Sequence, residues 1–193
     1  MHTAPHDIVK IKRDASISWP SWCPESDLFA TVRRGQVAPG QVALGLRGAS
    51  RSQRFAFSLP EEAILSVTHP NELVDQILLE PNKQRYQVVK LYKQAQKILV
   101  DHDWGVGGSL GFELATGIDT IHPKSDLDLV LYCEQKADLP LDLVKRYPTF
   151  FDQVDLQVIT KKGGFLLKEY FQYPDKKILL KTLAGPVLTY DLW

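Results

Sequence analysis

The chain has 193 residues, 44% of them hydrophobic and 24% charged, and a formal net charge of zero at neutral pH. That composition suits one medium globular domain or two small ones. It excludes a bilayer-spanning helix, since no apolar run approaches the roughly 20 residues such a segment needs. Residues 1–7 lack a basic stretch followed by an apolar one, so no signal peptide is expected there. Cys23 and Cys133 are far apart and lack metal-ligand spacing. They are expected as reduced thiols of a cytoplasmic protein.

The neutral total conceals an asymmetry. Between Asp27 and Glu61 there is no acidic residue, and Arg33, Arg34, Arg47, Arg51 and Arg54 all fall in that interval. Carboxylates concentrate later, at Asp126, Asp128, Asp138, Asp142, Asp152 and Asp155. Arginines grip phosphates directly and carboxylates grip them through a metal, so a polyanionic ligand is one reading. A solvated sheet edge is the plainer reading of five arginines considered alone.

In chain order, residues 1–60 read as short strands and turns: Leu28 to Arg33, a Pro39-Gly40 turn, Gln41 to Leu46, then Phe55 to Phe57. Trp19 and Trp22 are expected to pack. Pro60-Glu61-Glu62 and Pro70-Asn71-Glu72 resemble helix starts. From Asn82 to about His102, Val88, Leu91, Ala95 and Ile98 recur at helical spacing. No Pro/Gly/Ser-rich linker intervenes, and a soft boundary is expected near residues 80–85. Beyond it come a strand at Trp104 to Val106, a helix from Leu110 to Thr116 capped by Gly117, a strand from Asp126 to Tyr132 and a helix from Leu139 to Tyr147. A strand from Val154 to Thr160, a helix opened by Gly163-Gly164 and a last strand at Val187 to Tyr190 complete an α+β pattern with a mixed sheet.

Strand periodicity points Leu127, Leu129 and Leu131 into a core and puts Asp126 and Asp128 side by side on the other face. Neighbouring carboxylates repel unless a cation or proton lies between them. Magnesium takes one or two protein carboxylates and completes its shell with water and substrate phosphate. The strand Val154 to Ile159 repeats the device with Asp155. If the two strands pair, Asp155 completes a three-carboxylate cluster able to serve a two-metal site. The turn Gly107-Gly108-Ser109 precedes a helix, where free amides favour an anion and Ser109 could donate to phosphate. His122 is expected as a loop hydrogen-bonder, and Lys168 as a solvated lysine.

The order strand, Gly107-Gly108-Ser109, helix, Asp126-Leu127-Asp128-Leu129 resembles the DNA polymerase β-type nucleotidyltransferases. Residues Asp119 to Ser125 form an insertion relative to minimal members of that superfamily. Over nearly the whole chain the longer motifs resemble one family within it, the phosphoribosyl-dephospho-CoA transferase (holo-acyl-carrier-protein synthase) of malonate decarboxylase. These motifs are Pro5-His6-Asp7, Arg33 to Gly40, Arg51 to Phe57, Trp104 to Gly117 and His122 to Leu129.

The resemblance implies an N-terminal substrate-binding α/β domain over 1–80 and a nucleotidyltransferase domain over 81–193. It implies Asp126 and Asp128 as the essential metal pair, with magnesium, as two ions, and manganese as the substitute. The implied donor is the triphosphate precursor of 2′-(5″-phosphoribosyl)-3′-dephospho-CoA and the implied acceptor a serine of the acyl-carrier subunit, with no nucleic-acid or membrane partner. Asp155 is expected as a third carboxylate. Gly107, Gly108, Ser109, Arg33, Arg34, Arg47, Arg51 and Arg54 are expected to hold phosphates. Another acceptor in the same superfamily, such as the citrate lyase prosthetic-group system or a small molecule, and a non-catalytic nucleotide-binding module are the competing expectations.

Overall fold

The fold is described from a computed structural model that covers residues 2–193 apart from Ala15, Ser26, Asp27, Ala49, Arg51 and Leu79. The chain forms two compact units, Met1–His69 and Pro70–Trp193.

The first unit is a five-stranded antiparallel sheet in the order β4-β3-β2-β1-β5. Its strands are β1 (Ile8–Ile11), β2 (Leu28–Val32), β3 (Gln41–Arg47), β4 (Arg54–Pro60) and β5 (Ile64–Thr68). Alternation sets the faces: Leu28, Ala30 and Val32 of β2 and Val42, Leu44 and Leu46 of β3 are buried, while the residues between them are more open. Ile17, Trp19 and Trp22 pack against this core, as do Phe55 and Phe57. The Trp19 ring meets Phe57 edge-on at 5.1 Å between centroids. The helix expected at Pro60-Glu61-Glu62 is only a 3-10 turn, Glu61–Ala63. Ile64, Val67 and Thr68 then favour an extended chain, and β5 pairs with β1.

The second unit is a six-stranded mixed sheet in the order β11-β10-β9-β8-β7-β6. Its elements are α1 (Gln87–Ile98), β6 (Trp104–Val106), α2 (Gly108–Thr116), β7 (Leu127–Tyr132), α3 (Leu141–Arg146), α4 (Pro148–Gln153), β8 (Val154–Thr160), β9 (Gly163–Leu166), α5 (Leu167–Gln172), β10 (Ile178–Thr182) and β11 (Gly185–Thr189). Only β7 and β8 run parallel, joined by the α3–α4 crossover that a parallel pair requires. The overall class is therefore α+β, with a mixed sheet in the second unit.

The compact units meet at residues 69 and 70, earlier than the expected boundary after residue 80. The reason is local packing within the second unit. The Tyr92 hydroxyl lies 2.7 to 3.0 Å from the carbonyl oxygens of Leu73, Val74 and Gln76, and Gly105 packs directly on Pro70, where a Cβ would come within 2.5 Å. Burial, then the nearby Asp75, pushes the Tyr92 phenol up to about 12, so it stays a donor.

Gly163-Gly164 begins a strand, β9, with α5 starting only at Leu167. Phe165 on that strand is fully buried, its ring 5.6 Å from Trp193 and 5.8 Å from Tyr170. Phe165→Ala is expected to destabilise the protein by about 3–5 kcal/mol, measured as the shift of the chemical denaturation midpoint. Both cysteines are free and buried; burial, reinforced by Asp138 and Asp103, pushes the Cys133 thiol up to about 12. No helix among the described residues is long and apolar enough to cross a membrane.

Candidate active site

The site is built where β6, α2 and β7 meet. β6 pairs with β7 through Val106↔Leu129, and one step further the Gly107 N–H donates to the Asp128 carbonyl at 2.9 Å. The chain then turns into α2 at Gly108, whose φ of +59° lies in the left-handed region. A Cβ on Gly108 would stand 1.8 Å from Asp128 Oδ2, so the Asp128 carboxylate lies against the bare Cα of Gly108. Gly111 performs a similar service one turn on, where a Cβ would meet the Val106 carbonyl oxygen at 2.4 Å. These glycines let the N-terminal end of α2, with its free amides, sit beside a carboxylate-bearing strand. Gly117, with φ +72°, closes the nine-residue helix as expected.

On β7, Leu127, Leu129 and Leu131 are buried and Asp128 is exposed, as alternation predicts. On β8, Asp155 is exposed between buried Val154 and Leu156. The parallel register sets Asp128 directly opposite Asp155, on adjacent strands and about 4.8 Å apart at the backbone. Pairing of the two strands was the condition under which Asp155 could join the site, and it is met. Asp126 is exposed and lies one residue before the first paired residue of β7. There the pleat no longer dictates its direction, so the side-by-side placement read from periodicity is not imposed on it. Among the described residues, no three His, Cys, Asp or Glu side chains are grouped so as to hold a metal ion. The expected trio Asp126, Asp128 and Asp155 is not such a group. Two exposed carboxylates in register, next to helix N-terminal amides, fit a hard divalent ion that draws most ligands from phosphate and water.

Ser109 lies half-buried in the first turn of α2, and its carbonyl accepts the Thr120 hydroxyl at 2.9 Å. That bond belongs to a network that sequence reading missed. Glu113, on α2 and 3% exposed, accepts Lys83 Nζ at 2.5 Å and the backbone amides of Thr120 and Ile121, each at 2.8 Å. Lys83 also donates to Asp119 at 2.8 Å. Burial alone lowers the pKa of the Lys83 ammonium; the hydrogen bonds it donates to Asp119 and Glu113 reverse that and leave it raised. A raised lysine pKa contributes stability below the ordinary lysine range and loses it only at higher pH, so the network is intact throughout neutral conditions. His122 acts as a loop hydrogen-bonder: its Nδ1 accepts the Lys124 amide at 3.2 Å. Lys168 lies exposed, 4.0 Å from Asp152.

The arginines separate into groups. Arg47 and Arg54 oppose each other across β3 and β4, on the face away from the core. Like charges directly opposite are unfavourable unless something neutralises them. Arg33 follows β2 on the same face, and its aliphatic stem lies across Gly45, where a Cβ would meet Arg33 Cδ at 2.6 Å. Arg34 is half-buried, with a guanidinium nitrogen 2.9 Å from His6 Nε2, and burial lowers its pKa. Arg51 lies outside the described residues.

Comparison with known sequences divides the chain where the structure does. Residues 4–70 match the family model described as the phosphoribosyl-dephospho-CoA transferase MdcG N-terminal domain, and residues 72–192 match that of the MdcG C-terminal domain. A phosphoribosyl-dephospho-CoA transferase of Pseudomonas fluorescens is 34% identical, over 98% of this chain and 93% of its own length. One from Pseudomonas syringae pv. tomato is 33% identical, over 90% of this chain and 84% of its own length. One from Klebsiella pneumoniae is 31% identical, over 98% and 95%. No solved structure matches the chain significantly. With both domain models side by side and relatives alike from end to end, the chain belongs to the phosphoribosyl-dephospho-CoA transferase family.

Proposed function

We propose that the protein is a nucleotidyl-transfer-type enzyme. It moves the 2′-(5″-phosphoribosyl)-3′-dephospho-CoA group from its triphosphate precursor to a serine of the apo acyl-carrier subunit of malonate decarboxylase, in the cytoplasm. The family supports the transferred group. The observation that carries the chemistry is Asp128, which lies against the Gly107-Gly108 turn and is paired in register with Asp155.

In this reading the serine hydroxyl attacks the α-phosphorus of the donor. An O–P bond forms, the bond to the β-phosphate oxygen breaks, and pyrophosphate leaves. The hydroxyl proton passes to one carboxylate of the site. Asp126 and Asp128, with Asp155 as the third carboxylate, would hold magnesium (or manganese), as one or two ions, which supplies neutralisation of phosphoryl charge and a more acidic attacking hydroxyl. The α2 N-terminal amides and Ser109 orient the departing pyrophosphate, whose charge grows as the bond breaks. On the first unit, the open sheet face that carries Arg33, Arg47 and Arg54 suits a phosphate-bearing ligand.

Pyrophosphate release separates this reading from its competitors. Protein, triphosphate donor, apo carrier subunit and magnesium are expected to yield one pyrophosphate per carrier modified, and ATP with small hydroxylic acceptors none. Release with ATP and a small acceptor, and none with the carrier, would move the assignment to another nucleotidyltransferase. No release with any pair would leave only nucleotide binding.

A further inference from the structure

We propose that Glu113 is a positioning residue for the aspartate site, acting through the segment 118–126 that precedes β7. The inference rests on the phosphoryl-transfer reading of Asp126 and Asp128.

Relative to the minimal nucleotidyltransferase pattern that the sequence resembles, Asp119 to Ser125 form an insertion between α2 and Asp126. A free insertion at that point would leave Asp126 adrift from α2. Instead the segment is strapped to the helix along its length. The Ile118 amide donates to Thr116 Oγ1 at 3.1 Å, the Thr120 and Ile121 amides to Glu113 Oε2, and the Thr120 hydroxyl to the Ser109 carbonyl. Ile121 itself is buried. From Ile121 to the start of β7 there is one hydrogen-bonded turn, closed by Ser125 N–H to His122 O and by His122 N–H to Ser125 Oγ, both at 2.9 Å. The Ile121 anchor therefore sets where Asp126 enters the strand. The same helix carries Gly108 against Asp128 at its other end.

Glu113 is suited to this task because it is nearly inaccessible and its charge is matched. Two amides at one oxygen and the Lys83 ammonium at the other satisfy its acceptor sites, and Lys83 shares its remaining charge with Asp119. Its capacity to accept is already used, so it is a brace for the strap and makes no contact that a substrate would need. Supporting groups behind metal-binding side chains alter metal affinity or activity by about 10–100-fold when removed.

The test uses the full chain in three forms: wild type, Glu113→Gln, and the double variant Lys83→Met/Glu113→Gln. In the single variant an amide –NH2 faces the buried ammonium, so the glutamine cannot serve both sides. In the double variant that conflict is gone and the glutamine oxygen can again take the Thr120 and Ile121 amides. Three readouts are taken: hydrogen exchange of peptides covering 118–126, affinity for Mn2+ alone by electron paramagnetic resonance, and kcat and KM for the triphosphate donor.

The expected result for Glu113→Gln is faster exchange confined to 118–126, about 10–100-fold weaker Mn2+ binding and a similar fall in kcat. The donor KM should change only a few-fold, and the double variant should recover most of each loss. Unchanged exchange and Mn2+ affinity in Glu113→Gln would overturn the proposal. So would exchange raised across the whole second unit, which marks a general structural role, or a double variant no better than the single one. If wild-type protein transfers nothing, the functional reading fails by itself, while exchange and Mn2+ affinity still decide whether Glu113 sets the aspartates.

Discussion

Asp128→Asn is expected to lower transfer by roughly a thousand-fold, since the metal-assisted stabilisation it supports amounts to several kcal/mol at about 1.4 kcal/mol per factor of ten. Asp126→Asn is expected to match it. Neither change should unfold the protein. Both side chains are exposed, and the buried Leu127 and Leu129 between and beyond them anchor the strand in the core. Asp128 also faces Asp155 in register. Asparagine is close to isosteric with aspartate, so Asp128→Asn should keep a cooperative melting transition and a native circular dichroism spectrum. Turnover close to wild type in either variant would remove the aspartates from the chemistry. Loss of the cooperative transition would show that Asp128 serves the fold.

Gly108→Ala is the second large effect. The added Cβ would fall 1.8 Å from Asp128 Oδ2 and 2.6 Å from its Cγ, a separation no side chain can tolerate. The carboxylate must swing away or the first turn of α2 must shift. The left-handed backbone at position 108 adds about 1–2 kcal/mol for a residue with a Cβ. We expect a drop of at least about 100-fold in kcat, since small misplacements of reacting groups cost that much, with a stability loss of only about 1–3 kcal/mol. Gly117→Ala is the control: it also lies at positive φ, but nothing stands within 4 Å of its Cβ position. It should show the stability loss without the kinetic one. Equal kinetic losses in the two variants would mean that helix fraying, not contact with Asp128, is responsible.

Much of this site was legible from residue order. At the start of both strands a single exposed aspartate stands between buried apolar residues, which assigns its face, although Val130 and Gln157 are buried further along. Gly117 marks the end of α2 by the same rule that gives it a positive φ. What could not be read was anything set by register or by tertiary contact. That Asp155 falls opposite Asp128, with neither residue ahead, depends on the length of the α3–α4 crossover. Lys83 and Glu113, 30 positions apart, carry no local signal. Five arginines looked equivalent in sequence, yet strand parity puts Arg33, Arg47 and Arg54 on one open face and turns Arg34 to His6. Pro60-Glu61-Glu62, just before β5, and Gly163-Gly164, which begins β9, resemble helix starts because proline with acids, or paired glycines, often open helices. Pairing with β1 and with β8 overrode those local preferences.

Intact-mass spectrometry of the carrier subunit tests the central claim most directly. Apo carrier, triphosphate donor and magnesium are incubated with wild-type protein and, in parallel, with Asp128→Asn. The account predicts a carrier heavier by one phosphoribosyl-dephospho-CoA group with wild type, mapped to a single serine, and an unmodified carrier with the variant. An unmodified carrier with active wild-type protein, or equal modification by Asp128→Asn, would contradict it.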